Sequence, residues 1–100
     1  MFARLSKMKV KPGKMKELEH RTRTITLPGN QAKDGFHGAM LLVDPRSGNT
    51  IGLSLWDTEE AMLAVEESGH YEKSMAGYTD IFDGEFEREV YEVAVKSDDI

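Results

Sequence analysis

Two apolar runs, "FHGAMLLVD" (36–44) and "TIGLSLW" (50–56), flank the short segment "PRSGN" (45–49). Pro45 fixes its own φ, and Gly48-Asn49 tolerate positive φ, so this segment is turn chemistry and the two runs read as an antiparallel hairpin. The first run limits the fold more tightly than any other stretch. Phe36, Met40 and Leu42 share one parity, and Ala39, Leu41 and Val43 share the other. A strand that is apolar on both parities has to be covered on both sides, whereas a sheet with one face in water alternates apolar with polar.

The flanking segments supply the other elements. Residues 2–10 alternate loosely: Phe2, Met8 and Val10 share a parity with Arg4 and Ser6, and Leu5 takes the other. They are expected to form a strand. Pro12 suits a helix start, and residues 13–25 carry Met15, Leu18, Thr22 and Ile25 along one stripe. "LPGNQAKDG" is expected to break that helix at Pro28-Gly29. After the hairpin, Asp57 with Glu60 three residues on reads as a capping box for a second helix, whose buried side is Ala61, Met62, Ala64 and Val65. Residues 70–78 read as a further short helical piece, and 85–95 as a last strand.

The resulting order, β-α-β-β-α-β, is the α+β, ferredoxin-like sandwich, with both helices on one face of a four-stranded antiparallel sheet. The length fits one domain spanning residues 1–100. The last strand, like the first hairpin strand, is apolar on both parities: Phe86 and Val90 on one, Tyr91, Val93 and Val95 on the other. A β-bulge between Val90 and Tyr91 would account for the last strand but not for residues 36–44. Two helices can cover only one face, so the expected cover for the other is a second copy of the chain, giving a homodimer of face-to-face sheets.

Composition excludes several classes of function. There is no cysteine, and so no disulfide framework, thiolate metal site or cysteine nucleophile. The three histidines, 20, 37 and 70, lack ligand spacing, and no metal is expected. No stretch is long and apolar enough for a membrane span or signal peptide, and a cytoplasmic location is expected. Residues 1–56 hold ten Lys/Arg against four Asp/Glu, and residues 57–100 three against fourteen. The basic half lacks interleaved aromatics and the total charge is −5, so nucleic acid is not the expected partner. The basic residues, Arg4 among them, read as a solvated face. No Gly-x-Gly-x-x-Gly, P-loop or Gly-x-Ser-x-Gly is present.

The stretch "DGFHGAMLLVDPRSGNTIGLSLWDTEEAMLAVEESGHYE" closely resembles the central hairpin and helix of the antibiotic biosynthesis monooxygenase domains. The features that carry the resemblance are Gly35-Phe36-His37-Gly38, Asp44 to Gly48, and Ser54-Leu55-Trp56. It implies a dimeric α+β barrel and, as activity, a cofactor-independent monooxygenase of small aromatic or quinol substrates. The alternative is a non-enzymatic small-ligand-binding or stress-associated dimer. Haem degradation would require an Asn on the first strand, a Trp within the second helix and a ligating His further on. This chain has no Asn in residues 2–10 and has Val65 and Met75 at the counted positions.

Four residues are candidates to line a pocket: Trp56, His70, Tyr71 and Tyr78. Trp56, the single tryptophan, sits at the seam between strand and helix, where packing alone would account for it. Tyr71, Met75 and Tyr78 form a helical stripe that would be core or, beside a cavity, its wall. His70 reads as a surface or capping group, or as a polar group at a pocket mouth. His37, on the parity of Ala39 and Leu41, is expected to be a satisfied buried histidine. Glu85, Glu87 and Glu89 read as a solvated strand end. No catalytic residue is assigned and no cofactor is expected.

Overall fold

A computed structural model describes residues 1–67, 77–84 and 86–100. Four strands, β1 (Phe2–Lys9), β2 (Phe36–Val43), β3 (Asn49–Trp56) and β4 (Glu87–Glu92), form one antiparallel sheet in the order β2-β3-β1-β4. Helices α1 (Met15–Arg21) and α2 (Leu27–Gln31) join through a π-helical turn, Thr22–Thr26, and α3 (Glu59–Glu67) follows β3. This is the α+β, ferredoxin-like arrangement of a four-stranded antiparallel sheet with its helices on one side.

The first helical region starts later and runs further than its sequence suggests. Lys11-Pro12-Gly13 is a turn, with Gly13 at φ 81°, and the helix begins at Met15. It then continues through Pro28 to Gln31. A proline within a helix loses one N–H donor and presses on the carbonyl four residues back. The wide turn just before Pro28 relieves that pressure. Its Leu27 N–H reaches back to the Thr22 carbonyl, and the Thr22 and Thr24 hydroxyls donate to the carbonyls of Leu18 and His20. Helix α3 is capped one residue later than expected: the Thr58 hydroxyl, not Asp57, accepts the Ala61 N–H at 3.1 Å. Strand β4 is also shorter than residues 85–95.

Strand β2 carries a bulge. Phe36 pairs with Trp56 and Gly38 with Leu55, which leaves His37 as the extra residue. The bulge moves Phe36 to the side of Ala39, Leu41 and Val43 and leaves Gly38, Met40 and Leu42 on the other. Residues paired across antiparallel strands share a face, so the sheet's two sides can be read from the register. The helix side carries Phe2, Trp56 and Phe36 at one end and Arg4, Ser6, Gly52, Ser54 and Ala39 in its middle. The open side carries Ala3, Leu5, Ile51, Leu53, Met40 and Leu42. Both sides of the sheet therefore carry apolar residues, including the side the helices leave uncovered. Val90 lies opposite Arg4 on the helix side and Tyr91 on the open side, without a phase change inside β4.

Two apolar clusters hold the helices down. Trp56, Met62 and Val65 pack with Phe2 and Phe36 under α3, and Val10, Leu18, Tyr78 and Ile81 pack with Leu41 under α1. Arg21 fastens the second cluster. Its guanidinium donates to both Asp80 carboxylate oxygens (3.2 and 3.0 Å), to Glu17 (2.6 Å) and to the Gly77 carbonyl (2.6 Å). The Arg21 hydrogen bonds hold the carboxyls of Glu17 and Asp80 below their ordinary values. A carboxyl depressed in the folded state adds stability that is complete above its unfolded pKa and lost as pH falls through the folded one. The stability of the native chain should therefore fall on acidification below the ordinary carboxylate range. Arg21→Gln should flatten that part of the profile, which urea titrations across pH 2–6 would read. A variant with the wild-type slope would refute the clamp.

Candidate functional site

A cavity of about 140 Å³ lies between the sheet and the helical segment 15–31. Its origin is in the sequence. Helices press onto a sheet as closely as the facing side chains allow, and here the middle of the helix-facing side offers Gly52, Ala39, Ser6 and Ser54. These small residues leave a gap while the large ones at either end keep the layers apart. From the helical side Thr22, Thr26, Leu27 and Asn30 border the gap, three of them polar and two of them in the π-helical turn.

Trp56 and Tyr78, two of the four candidates, both border the cavity. His70 and Tyr71 lie outside the described residues. Trp56 is 2% exposed and meets Phe36 edge-on, with centroids 5.4 Å apart. Its Nε1 donates to Ser54 Oγ at 2.9 Å. With that donor spent inside β3, the indole offers the cavity an aromatic surface. Trp56 thus pins strand to helix and closes one side of the gap.

Tyr78 is held more elaborately. Its ring stacks on Phe82 at 5.7 Å, nearly parallel. The Arg21 guanidinium lies over the ring at 5.6 Å. Its hydroxyl is 2.7 Å from Thr26 Oγ1. Two hydroxyls in one hydrogen bond spend one hydrogen between them, so the pair keeps a second hydrogen and further lone pairs for another polar group.

Arg4 corrects the reading of the basic residues as a solvated face. It is 4% exposed, borders the cavity, and donates to the Met62 carbonyl at 3.5 Å. The signal was its parity: Arg4 alternates with apolar Ala3 and Leu5 and shares the face of Phe2 and Met8, so it enters the interior with them. The guanidinium stays charged at any physiological pH and adds a permanent positive charge to the cavity wall.

His37 also departs from expectation. The bulge turns it outward. It is exposed, with Nε2 2.9 Å from the Ile100 carbonyl oxygen and Nδ1 3.6 Å from the Asp57 carboxylate. It is not a buried core histidine. Glu87 and Glu89 face the open side near its edge, where Glu89 pairs with Lys7 and accepts from the Tyr91 hydroxyl. Among the described residues no three His, Cys, Asp or Glu side chains converge as metal ligands would, and no helix is long and apolar enough to cross a membrane.

These features define a class. Residues 1–77 match the antibiotic biosynthesis monooxygenase family, and the chain belongs to it. Two uncharacterized proteins of Mycobacterium tuberculosis, Rv2557 and Rv2558, are each 47% identical to this chain over 45 residues, 45% of its length. That stretch spans only about a fifth of those relatives, 20% and 19%. Three solved structures share the fold at low identity. NE2512, a Nitrosomonas europaea protein of unknown function, is 18% identical with a TM-score of 0.78, covering 96% of this chain and 91% of that one. SnoaB, a cofactor-independent oxygenase from Streptomyces nogalater solved as a point mutant, is 10% identical with a TM-score of 0.76, covering 95% and 94%. Rv0793 from Mycobacterium tuberculosis is 14% identical with a TM-score of 0.76, covering 96% and 97%.

Proposed function

We propose that this chain is a cofactor-independent monooxygenase of a small aromatic or quinol substrate, working as a homodimer. The observation that carries the reading is the cavity: mostly apolar walls, a buried guanidinium and a hydroxyl pair, between sheet and helices. Small-molecule sites have this character. Family membership points the same way, and so does the likeness of fold to SnoaB, described as a cofactor-independent oxygenase.

The chemistry asks little of the protein. A hydroquinone ionised at one hydroxyl can pass an electron to O2. Recombination of the pair forms a C–O bond, and loss of water leaves a hydroxyquinone. One atom of O2 stays on the ring, the other leaves as water, and the ring supplies all four electrons. The protein has to keep water away from the reactive pair and favour the anion. Arg4 supplies a positive charge for the second task. Trp56 and Tyr78 supply walls for the first. His70 and Tyr71 remain candidates to line the pocket.

The dimer belongs to the same proposal. Leu5, Met40, Leu42, Ile51 and Leu53 make an apolar surface on the open side, with Met40 and Leu42 43% and 46% exposed. A patch of that character marks an interaction surface, and a second sheet against it would complete a barrel.

The second reading, a binding protein without chemistry, is favoured by one observation: no described residue bordering the cavity is a carboxylate or an imidazole. Oxygen-electrode assays over hydroquinones and anthrones separate the two. The monooxygenase reading expects oxygen uptake that depends on at least one of them. Binding without uptake across the panel would favour the second reading.

A further inference from the structure

Gly52 has no backbone reason to be glycine. It sits in the interior of β3, where glycine weakens a strand. Its register is regular, opposite Ser6 on β1 and Leu41 on β2, so it marks no bulge. Its φ is not among the positive ones, which belong to Gly13, Gly35, Gly48 and Gly84. A Cβ placed there would meet nothing closer than Met8 Cε at 4.0 Å. By contrast, a Cβ on Gly35 would strike Ala61 Cβ at 2.5 Å. The close approach of a ligand is another circumstance in which a strand interior keeps a glycine. Gly52 borders the cavity.

We propose that Gly52 is the floor of the ligand seat and sets its size, so that the ligand is a single six-membered ring bearing a hydroxyl, lying against the Gly52 backbone with that hydroxyl bonded to the Thr26–Tyr78 pair. This rests on reading the cavity as the substrate site. The volume sets the ring count: about 140 Å³ is close to the ~150 Å³ apolar cavity known to take up one benzene. A tricyclic anthrone would have to extend beyond it. The Thr26–Tyr78 pair, 2.7 Å apart, has a hydrogen and lone pairs left over, so it can donate to a phenolate or accept from a phenol.

The test uses three probes, hydroquinone, benzene and anthrone, with calorimetric titration and melting curves on the whole chain. The wild type is expected to bind hydroquinone and benzene and to leave anthrone unbound. Gly52→Ala should weaken hydroquinone about tenfold or more, the scale of one surplus methyl in a fitted pocket, and Gly52→Val should abolish binding. Gly52→Ala should melt no lower than the wild type, because its Cβ enters free space. Thr26→Val, which keeps the shape and removes the hydroxyl, should weaken hydroquinone and leave benzene unchanged. Wild-type affinity in Gly52→Val, anthrone binding by the wild type, or equal loss of both small probes in Thr26→Val would overturn the seat. The seat and the reaction fail separately. Hydroquinone binding with this mutant pattern but no oxygen uptake keeps the seat and removes the monooxygenase. Hydroquinone-dependent uptake with kcat/KM unchanged in Gly52→Val keeps the monooxygenase and removes the seat.

Discussion

Leu42→Asp should dissociate the protein and lower its stability at micromolar concentration, whereas Leu41→Asp should damage the fold of each copy directly. The two residues are neighbours on β2 with opposite surroundings. Leu41 packs against Val10, Leu18, Tyr78 and Ile81, and Leu42 projects from the open side, 46% exposed. A sheet pressed on that side in a stable dimer would bury about 600–1,000 Å² per partner. A carboxylate buried there without a counter-ion costs several kcal/mol, and symmetry doubles the insult. The wild-type melting temperature should rise with protein concentration, as mass action requires of a dimer whose monomer is marginal. That dependence should vanish in Leu42→Asp. Light scattering gives the simplest check. A folded wild type with a mass near 11.3 kDa at micromolar concentration would rule out the dimer.

Gly35→Ala should be strongly destabilising for so small a change. Gly35 holds φ at 78°, a region that costs a residue with a Cβ about 1–2 kcal/mol. The new Cβ would also lie 2.5 Å from Ala61 Cβ on α3, and overpacking of this kind costs about 1–3 kcal/mol. Together the loss is about 2–5 kcal/mol, a large part of the ~5–15 kcal/mol of a typical domain. The Gly35 carbonyl also accepts the Asp57 N–H at 2.8 Å, so this one residue fixes the approach to β2 against the start of α3. Pairing it with Ala61→Gly should recover the steric part and leave the conformational part. Urea unfolding of the four proteins in the cycle measures both. A single variant within about 1 kcal/mol of the wild type would show that the contact relaxes freely.

Much of the fold was legible in the sequence because hydrophobic parity and turn chemistry are local signals. The hairpin over 36–56, the strand over 2–10 and the helix after Trp56 all follow from them. The departures come from context the local pattern does not carry. Pro28 reads as a helix end, yet a widened turn upstream lets the helix pass it. His37 reads as interior by counting parity, yet a single bulged residue reverses the count. Asp57 reads as a cap, yet Thr58 is the residue whose hydroxyl meets the free N–H.

The site was harder to read for a related reason. A cavity is made by what is missing, and the residues that make it, Gly52, Ala39, Ser6 and Ser54, carry no chemical signal of their own. Trp56 and Tyr78 could be singled out as large aromatics at a seam. Arg4 was hidden by its charge, since most arginines in such a run face water, and only its alternation with apolar neighbours places it inside.

Whether this cavity oxygenates a small aromatic ring without a cofactor is decided by an isotope measurement. The purified chain is incubated with hydroquinone under 18O2 with no added metal, flavin or nicotinamide, and the products are read by mass spectrometry. The expected product is a hydroxyquinone carrying one 18O per ring, with labelled water in equal amount, formed faster than in buffer alone. Product formed at the rate of buffer alone, or a ring whose new oxygen comes from unlabelled water, would contradict the proposed reaction.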